Sequence, residues 1–335
     1  MIDKAYVVKS SIFGTVVGDA LGVPVEFTSR AERDKDPVVG MMAYGTHSQP
    51  KGTWSDDSSM IIATMDSFIL RRCFDPSDVM QRFANWRSAG DYTPYGKCFD
   101  IGVTCSKAIT SFLNGIEPLK CGGTREEDNG NGSLMRIIPG SLKRAVLEDY
   151  WDDNVLEDTV ALIHDLSKLT HAHPRSLIGC MLYTSICHEL IYGENRNLEI
   201  FVQDAISKTM EFYHNAWEKY DWFDNAFLSE IENNAFARIN NVQSFKAVSR
   251  NEIHSGGYIV HTLEAAIWCL LNTNSYSECV LTAVNLGDDT DTVGAVAGGL
   301  AGLRYGYDDI PGDWLQVIAE KEWIDGLCHD YAKTI

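Results

Sequence analysis

Three acids and two hydroxyls fill five consecutive positions, Asp288, Asp289, Thr290, Asp291 and Thr292, within the stretch 285–294. Oxygens at a helix start ordinarily cap free N–H groups and complement the helix dipole. That accounts for one or two of them. It does not account for so many set against the Gly- and Ala-rich apolar run 293–304, where each uncompensated charge is costly. A bound hard cation would compensate them. Mg²⁺, Mn²⁺ and Ca²⁺ take oxygen ligands, whereas Zn²⁺ favours His or Cys, and the cluster contains neither. An EF-hand does not fit, because the position that needs a bidentate Glu is Leu300.

A second oxygen-rich cluster lies far upstream, in Gly52-Thr53-Trp54-Ser55-Asp56-Asp57-Ser58-Ser59. It too runs into a helical pattern, with Met60, Ile61, Thr64 and Phe68 on one face. Either cluster alone is more often a helix cap than a metal site. Two oxygen-only clusters, each at a helix start, favour a joint site for two cations roughly 3.5–4 Å apart, as in two-metal hydrolases.

Other stretches are weaker. The loop from Cys121 through Gly130-Asn131-Gly132 runs into Ser133–Pro139, and a loop feeding a helix start can cradle an anion. Gly/Asn loops are mostly just turns. His164, His188, His214 and His329 read as surface or core residues, His173 before Pro174 as a helix-entry residue, and Asp19 as a brace for a loop. Trp217, Tyr220, Trp222 and Phe223 read as core or wall.

The elements that must position these residues read as helices. Glycines at 14, 18 and 22 recur every fourth residue along a helix over 6–21, and those at 294, 298, 302 and 306 repeat the spacing. Each interior Gly costs a helix roughly 0.5–1 kcal/mol relative to Ala, so two such ridges predict two central, closely packed helices. Further helices are expected near 57–72, 76–87, 102–114, 155–169, 174–192, 198–220, 258–271 and 275–285, then a C-terminal pair. The segment 28–51 reads as irregular, and 224–254 is the least legible. No alternating strands or βαβ rhythm are evident. The expectation is an all-α, compact multi-helix bundle, one domain over 1–335 with a possible elaborated lobe at 198–254, and functional residues on loops at one end.

The chain has 335 residues, 45% of them apolar, and a formal charge of −19. That length allows a substantial core. The acidic balance argues against a nucleic-acid partner, since phosphate-backbone binding rests on Lys and Arg. Bound cations would instead supply the positive charge an anionic small molecule needs. Nine cysteines without a C-x-x-C pair suggest a reducing compartment. The N-terminal apolar stretch, broken by Lys4, Lys9 and Asp19, reads as neither signal peptide nor membrane span. A soluble, cytoplasmic protein is expected.

Taken in order, Gly14-x-x-x-Gly18-Asp19-Ala20-Leu21-Gly22-Val23-Pro24-Val25-Glu26, Ser55-Asp56-Asp57, Gly130–Arg136, Thr170-His171 and Asn285–Thr292 resemble the ADP-ribosylglycohydrolase family. The resemblance spans nearly the whole chain. It implies an all-α fold with two Mg²⁺ or Mn²⁺ ions and hydrolysis of the bond between the distal ribose of ADP-ribose and an acceptor. By position it places metal ligands at Ser55, Asp56, Asp57, Asp289, Asp291 and Thr292, and acids at Glu26 and Asp100 as catalytic candidates. Asn131, Gly132, Ser133, Met135, His171 and Tyr258 would line the ADP-ribose cleft. Asp288 would be a neighbour of the site. The implied partner is an ADP-ribosylated protein, above all one modified on arginine, or a small ADP-ribosyl substrate. The alternative is a non-hydrolytic ADP-ribose binder or a crystallin-like structural member. Two departures stand out: Ser55 replaces the commoner Thr, and His261 stands where many relatives have Asp.

Overall fold

The two glycine ridges pack against each other. In the computed structural model, which describes residues 2–193, 197–216 and 225–335, the first helix, α1 (Lys4–Gly22), lies along a late one, α14 (Thr290–Tyr305). Gly14 faces the Gly298 carbonyl and Gly18 the Gly294 carbonyl so closely that an added Cβ would stand 2.3 and 2.0 Å from those oxygens. No residue with a side chain fits there without moving a helix. Gly306 does not extend the ridge. It ends α14 at φ +87, a left-handed conformation suited to Gly.

Between these two run α2 (Arg30–Lys35), α3 (Asp56–Arg71), α4 (Pro76–Ala89), α5 (Val103–Leu113), α6 (Ile138–Ala145) and α7 (Asp153–Lys168). There follow α8 (Pro174–Tyr192), α9 (Leu198–Ala216), α10 (Asn225–Asn233), α11 (Val242–Lys246), α12 (Ile259–Leu271) and α13 (Tyr276–Val284). The chain closes with α15 (Gly312–Val317) and α16 (Lys321–Ala332). The described residues contain no strand, only three isolated bridges, so the fold is all-α. The helix starts follow local chemistry: Ser55, Asp75, Asp152 and Ser275 each accept a backbone N–H at the N-cap of α3, α4, α7 and α13.

Four local expectations need adjusting. The segment 28–51 carries α2, which a capping box between Ser29 and Glu32 starts. The segment 224–254 holds α10 and α11, whose Phe227, Ile231 and Phe245 join the same core cluster as Val202 of α9. The loop ending at Gly132 does not feed a helix directly: turns occupy 132–136, and α6 starts only at Ile138, with Pro139 in its first turn. Helix α14 starts at Thr290, so its first turn includes Asp291 and Thr292. The reading of Trp217, Tyr220, Trp222 and Phe223 falls outside the described residues. Helix α1 is long and apolar enough to cross a bilayer, yet 83% of its most apolar stretch is buried within the protein.

Candidate metal and substrate site

Packing α1 on α14 brings together parts of the chain more than two hundred residues apart. The N-terminal turns of α3 and α14 meet, and Thr292 Oγ1 donates to Asp57 Oδ2 across 3.3 Å. Ser55 Oγ, 3.2 Å away, donates to the same oxygen. Asp19 of α1 braces the arrangement from below. Its carboxylate accepts the Ser55 N–H at 2.9 Å, the Ser58 N–H at 3.1 Å and the Ser58 hydroxyl at 2.6 Å. Asp19 thus caps α3, as its reading as a brace suggested. Burial nevertheless pushes its carboxyl up to about 7.

Two of the other acids are satisfied at only one oxygen. Asp57 Oδ1 and Asp291 Oδ2 are buried without a hydrogen-bond partner. Burial, followed by the charge of neighbouring acids, holds Asp56, Asp57 and Asp291 well above the usual carboxylate range. Asp289, half-buried, accepts from Asn131 Nδ2 at 2.6 Å, and burial raises it too. Glu26, Asp289 and Asp291 each bring an oxygen within 4.8 Å of the others. Orphaned buried oxygens are expensive, and a hard cation is the group that would satisfy both. The donor set of Ser55, Asp56, Asp57, Asp289, Asp291 and Thr292 therefore fits a hard divalent cation.

Above these acids opens a cleft of about 580 Å³. Glu26, Asp56, Asp100, Asn131, Gly132, Met135, His171, Asp289 and Thr292 line it, and Asp288 sits on its rim at φ +62. A larger cavity of about 820 Å³, lined by Tyr6, Tyr192 and Arg304 at the other end of α14, holds none of the clustered acids. Backbone pairing builds the cleft wall. Gly123 N–H donates to Thr170 O and Asn131 N–H to Gly257 O, tying the 121–132 loop to His171 and to the strip before α12.

His171 is buried, and burial lowers its pKa to about 3, so its ring is neutral at physiological pH. Arg136 Nη2 donates to Thr170 Oγ1 at 2.8 Å, and the same hydroxyl hydrogen-bonds His171 Nδ1 at 2.8 Å. The other ring nitrogen, Nε2, lies on the side of Gly130 and Gly132.

Two expected cleft residues stand differently. The Ser133 hydroxyl is buried against Cys180 Sγ at 3.5 Å, away from the cleft. Tyr258 lies beside the cleft strip Gly256-Gly257, and its hydroxyl accepts from Arg175 Nη1 at 2.9 Å. His261, the departure noted in the sequence, stacks on His254 with ring centroids 4.7 Å apart.

One site residue escaped the sequence reading altogether. His47 Nε2 contacts Glu26 Oε2 directly and lies 4.0 Å from Asp100 Oδ2. The hydrogen bond to Glu26 raises the His47 pKa, while burial pushes Glu26 up to about 8. The only local signal was a lone His in a Gly-containing loop between the Glu26 motif and the Ser55 cluster.

The chain resembles known proteins in sequence and in fold. A family model described as ADP-ribosylglycohydrolase matches residues 3–335. An ADP-ribosylarginine hydrolase Tri1 from Serratia proteamaculans is 31% identical over 327 residues, covering 97% of this chain and 78% of the relative. The ADP-ribosyl-[dinitrogen reductase] glycohydrolase of Rhodospirillum rubrum is 28% identical, covering 93% of this chain and 90% of its own. A solved structure titled ADP-ribosylglycohydrolase-related protein complex superposes with a TM-score of 0.75 at 26% identity, covering 99% of this chain and 98% of that one.

Proposed function

This chain belongs to the ADP-ribosylglycohydrolase family, and from that premise we propose that it is a metal-dependent hydrolase releasing ADP-ribose from modified arginine. The acceptor assignment draws on the relatives named for ADP-ribosylarginine and for ADP-ribosylated dinitrogen reductase. One observation carries the catalytic reading: oxygens from both ends of the chain converge beneath a nucleotide-sized cleft, and two of them, Asp57 Oδ1 and Asp291 Oδ2, are buried without partners.

Ser55, Asp56, Asp57, Asp289, Asp291 and Thr292 would hold one or two Mg²⁺ or Mn²⁺ ions, whose chemistry is to polarise sugar oxygens and make bound water more acidic. The remaining work falls to the protein. Asn131 keeps Asp289 oriented, since its amide donates to both Asp289 and Thr262. His171 offers its Nε2 to the ligand from a ring that stays uncharged. Glu26, with its pKa lifted to about 8, suits proton transfer near neutral pH. Asp100 lies close enough to balance positive charge that develops at the sugar's reacting carbon. The substrate is an ADP-ribosylated protein or a small ADP-ribosyl compound. A reducing compartment such as the cytoplasm suits the nine free cysteines, seven of them buried.

The test is release of ADP-ribose from ADP-ribosylarginine in the presence of Mg²⁺ or Mn²⁺. Wild-type protein should turn over, while Asp57→Ala and Asp289→Ala should not, with their folds retained. A wild type that gains melting temperature from ADP-ribose but releases none would be a binding protein and would end the hydrolase reading.

A further inference from the structure

We propose that His47 is a positioning residue that holds the Glu26 carboxylate for the reaction, an inference that rests on the hydrolase reading above. The loop carrying it is built at a cost in backbone strain. Tyr44 (φ +67, ψ −110) and Ser48 (φ +53) both occupy the left-handed half of backbone space, which non-glycine residues rarely enter. Gly45, between them at φ +60, passes so close to Pro24 that an added Cβ would stand 1.9 Å from the Pro24 carbonyl. Strain of this kind persists where the surrounding contacts over-determine it, and it gathers at functional sites.

Those contacts lead back to the same acid. Thr46 Oγ1 donates to the Glu26 carbonyl at 2.7 Å. Gln49 closes the loop by accepting the Tyr44 N–H at its carbonyl, 2.5 Å away, and by donating its side-chain amide to the His47 carbonyl at 3.1 Å. The imidazole also contacts the rings of Phe99 and of the exposed Phe27, at centroid distances of 5.3 and 6.1 Å. Phe27 is itself at φ +62, and its N–H donates to the Asp288 carbonyl at 2.7 Å, so the clamp and the second metal-side cluster share a strut. His47 Nε2 meets Glu26 Oε2, and Asp100 Oδ2 lies 4.0 Å from the same nitrogen, so the three groups form one cluster. With Oε2 engaged, the other Glu26 oxygen is the one left for the substrate. A residue needed only to fill space between two phenyl rings would not require a nitrogen aimed at a buried acid.

Steady-state hydrolysis of ADP-ribosylarginine by six proteins tests this: wild type, three His47 variants, Glu26→Gln and the double variant. His47→Ala should lower kcat at least ~10-fold with KM within about twofold, because a misplaced acid affects the transition state more than binding. His47→Gln, which keeps a side-chain N–H, should recover most of the loss. His47→Phe, which keeps the packing, should be as slow as His47→Ala. In a Glu26→Gln background, His47→Ala should cause no further loss, since the two act as one unit. Thermal melts of each variant report folding separately. Restoration by Phe but not Gln, independent multiplicative losses in the double variant, or wild-type rates in all variants would each overturn the proposal. A wild type that releases no ADP-ribose would instead overturn the hydrolase reading, and this inference with it.

Discussion

Replacing Gly18 with Ala sets two effects of opposite sign against each other. In an ordinary helix interior the change stabilises by about 0.5–1 kcal/mol, because Ala restricts the unfolded chain and favours the helix. Here the new Cβ would stand 2.0 Å from the Gly294 carbonyl oxygen and 2.5 Å from its carbon, where real Cβ contacts stay beyond 3.0 Å. The opposing atoms are backbone, so no rotamer change relieves the clash. The two helices must part by about 1 Å along their shared ridge. Overpacking of this kind costs about 1–3 kcal/mol, occasionally more, and this contact belongs at the upper end because both partners are rigid. The net loss is therefore about 2–3 kcal/mol. At about 2.1 cal/mol/K per residue, unfolding this chain carries roughly 0.7 kcal/mol/K, so Tm should fall by about 3–4 °C. Differential scanning calorimetry measures it directly. Because the same separation pulls Asp291 away from Asp57, the variant should also lose much of its stabilisation by Mg²⁺ or Mn²⁺. A Gly18→Ala protein as stable as wild type, or more so, would refute the close-packed ridge.

Two further outcomes can be checked with the same instruments. Saturating Mg²⁺ or Mn²⁺ at about 100 times its dissociation constant should stabilise the wild type by about 2.7 kcal/mol, a rise of roughly 4 °C by the entropy above; Asp291→Asn should shrink that rise to near zero in a melting series, and an undiminished rise would place the ion elsewhere. His164, buried against Tyr213 with Nε2···OH at 2.8 Å, has its folded pKa lowered by burial to about 3. The unfolded chain takes up that proton near pH 6.5 and the folded one refuses it, so this contribution is intact above pH 6.5 and is lost as pH falls towards 3. Between pH 6.5 and pH 5 the loss is about 2 kcal/mol, which should appear in denaturant titrations as a narrowing gap between wild type and His164→Asn; a gap independent of pH would refute the buried, neutral imidazole.

Much of this was legible in the sequence, because it rests on local pattern. The period of apolar residues gave α8 its limits and most other helices to within a few residues. Ser, Asp and Pro marked their starts. The glycine spacing announced the α1–α14 contact, since no other reason explains paying helix stability at every fourth position. The oxygen content of 55–59 and 288–292 pointed to clusters that could hold a hard cation, because so many oxygens beside a buried helix exceed what capping needs. What failed was of a different kind. His47 lies in a loop whose path depends on left-handed residues and on Pro24 behind it, and no periodicity encodes that. Ser133 sits within the right motif, but the turn at 132–136 directs its hydroxyl to Cys180 instead of the cleft.

The sequence by itself determined the parts: which stretches coil, which faces are apolar, and which oxygens are too many for capping. It did so because helix period and capping depend on neighbours a few residues away. Only the tertiary structure decided which oxygens lack partners, which acid is gripped by a histidine and which hydroxyl turns inward. Those properties depend on groups that are distant along the chain and adjacent only after α1 has seated on α14.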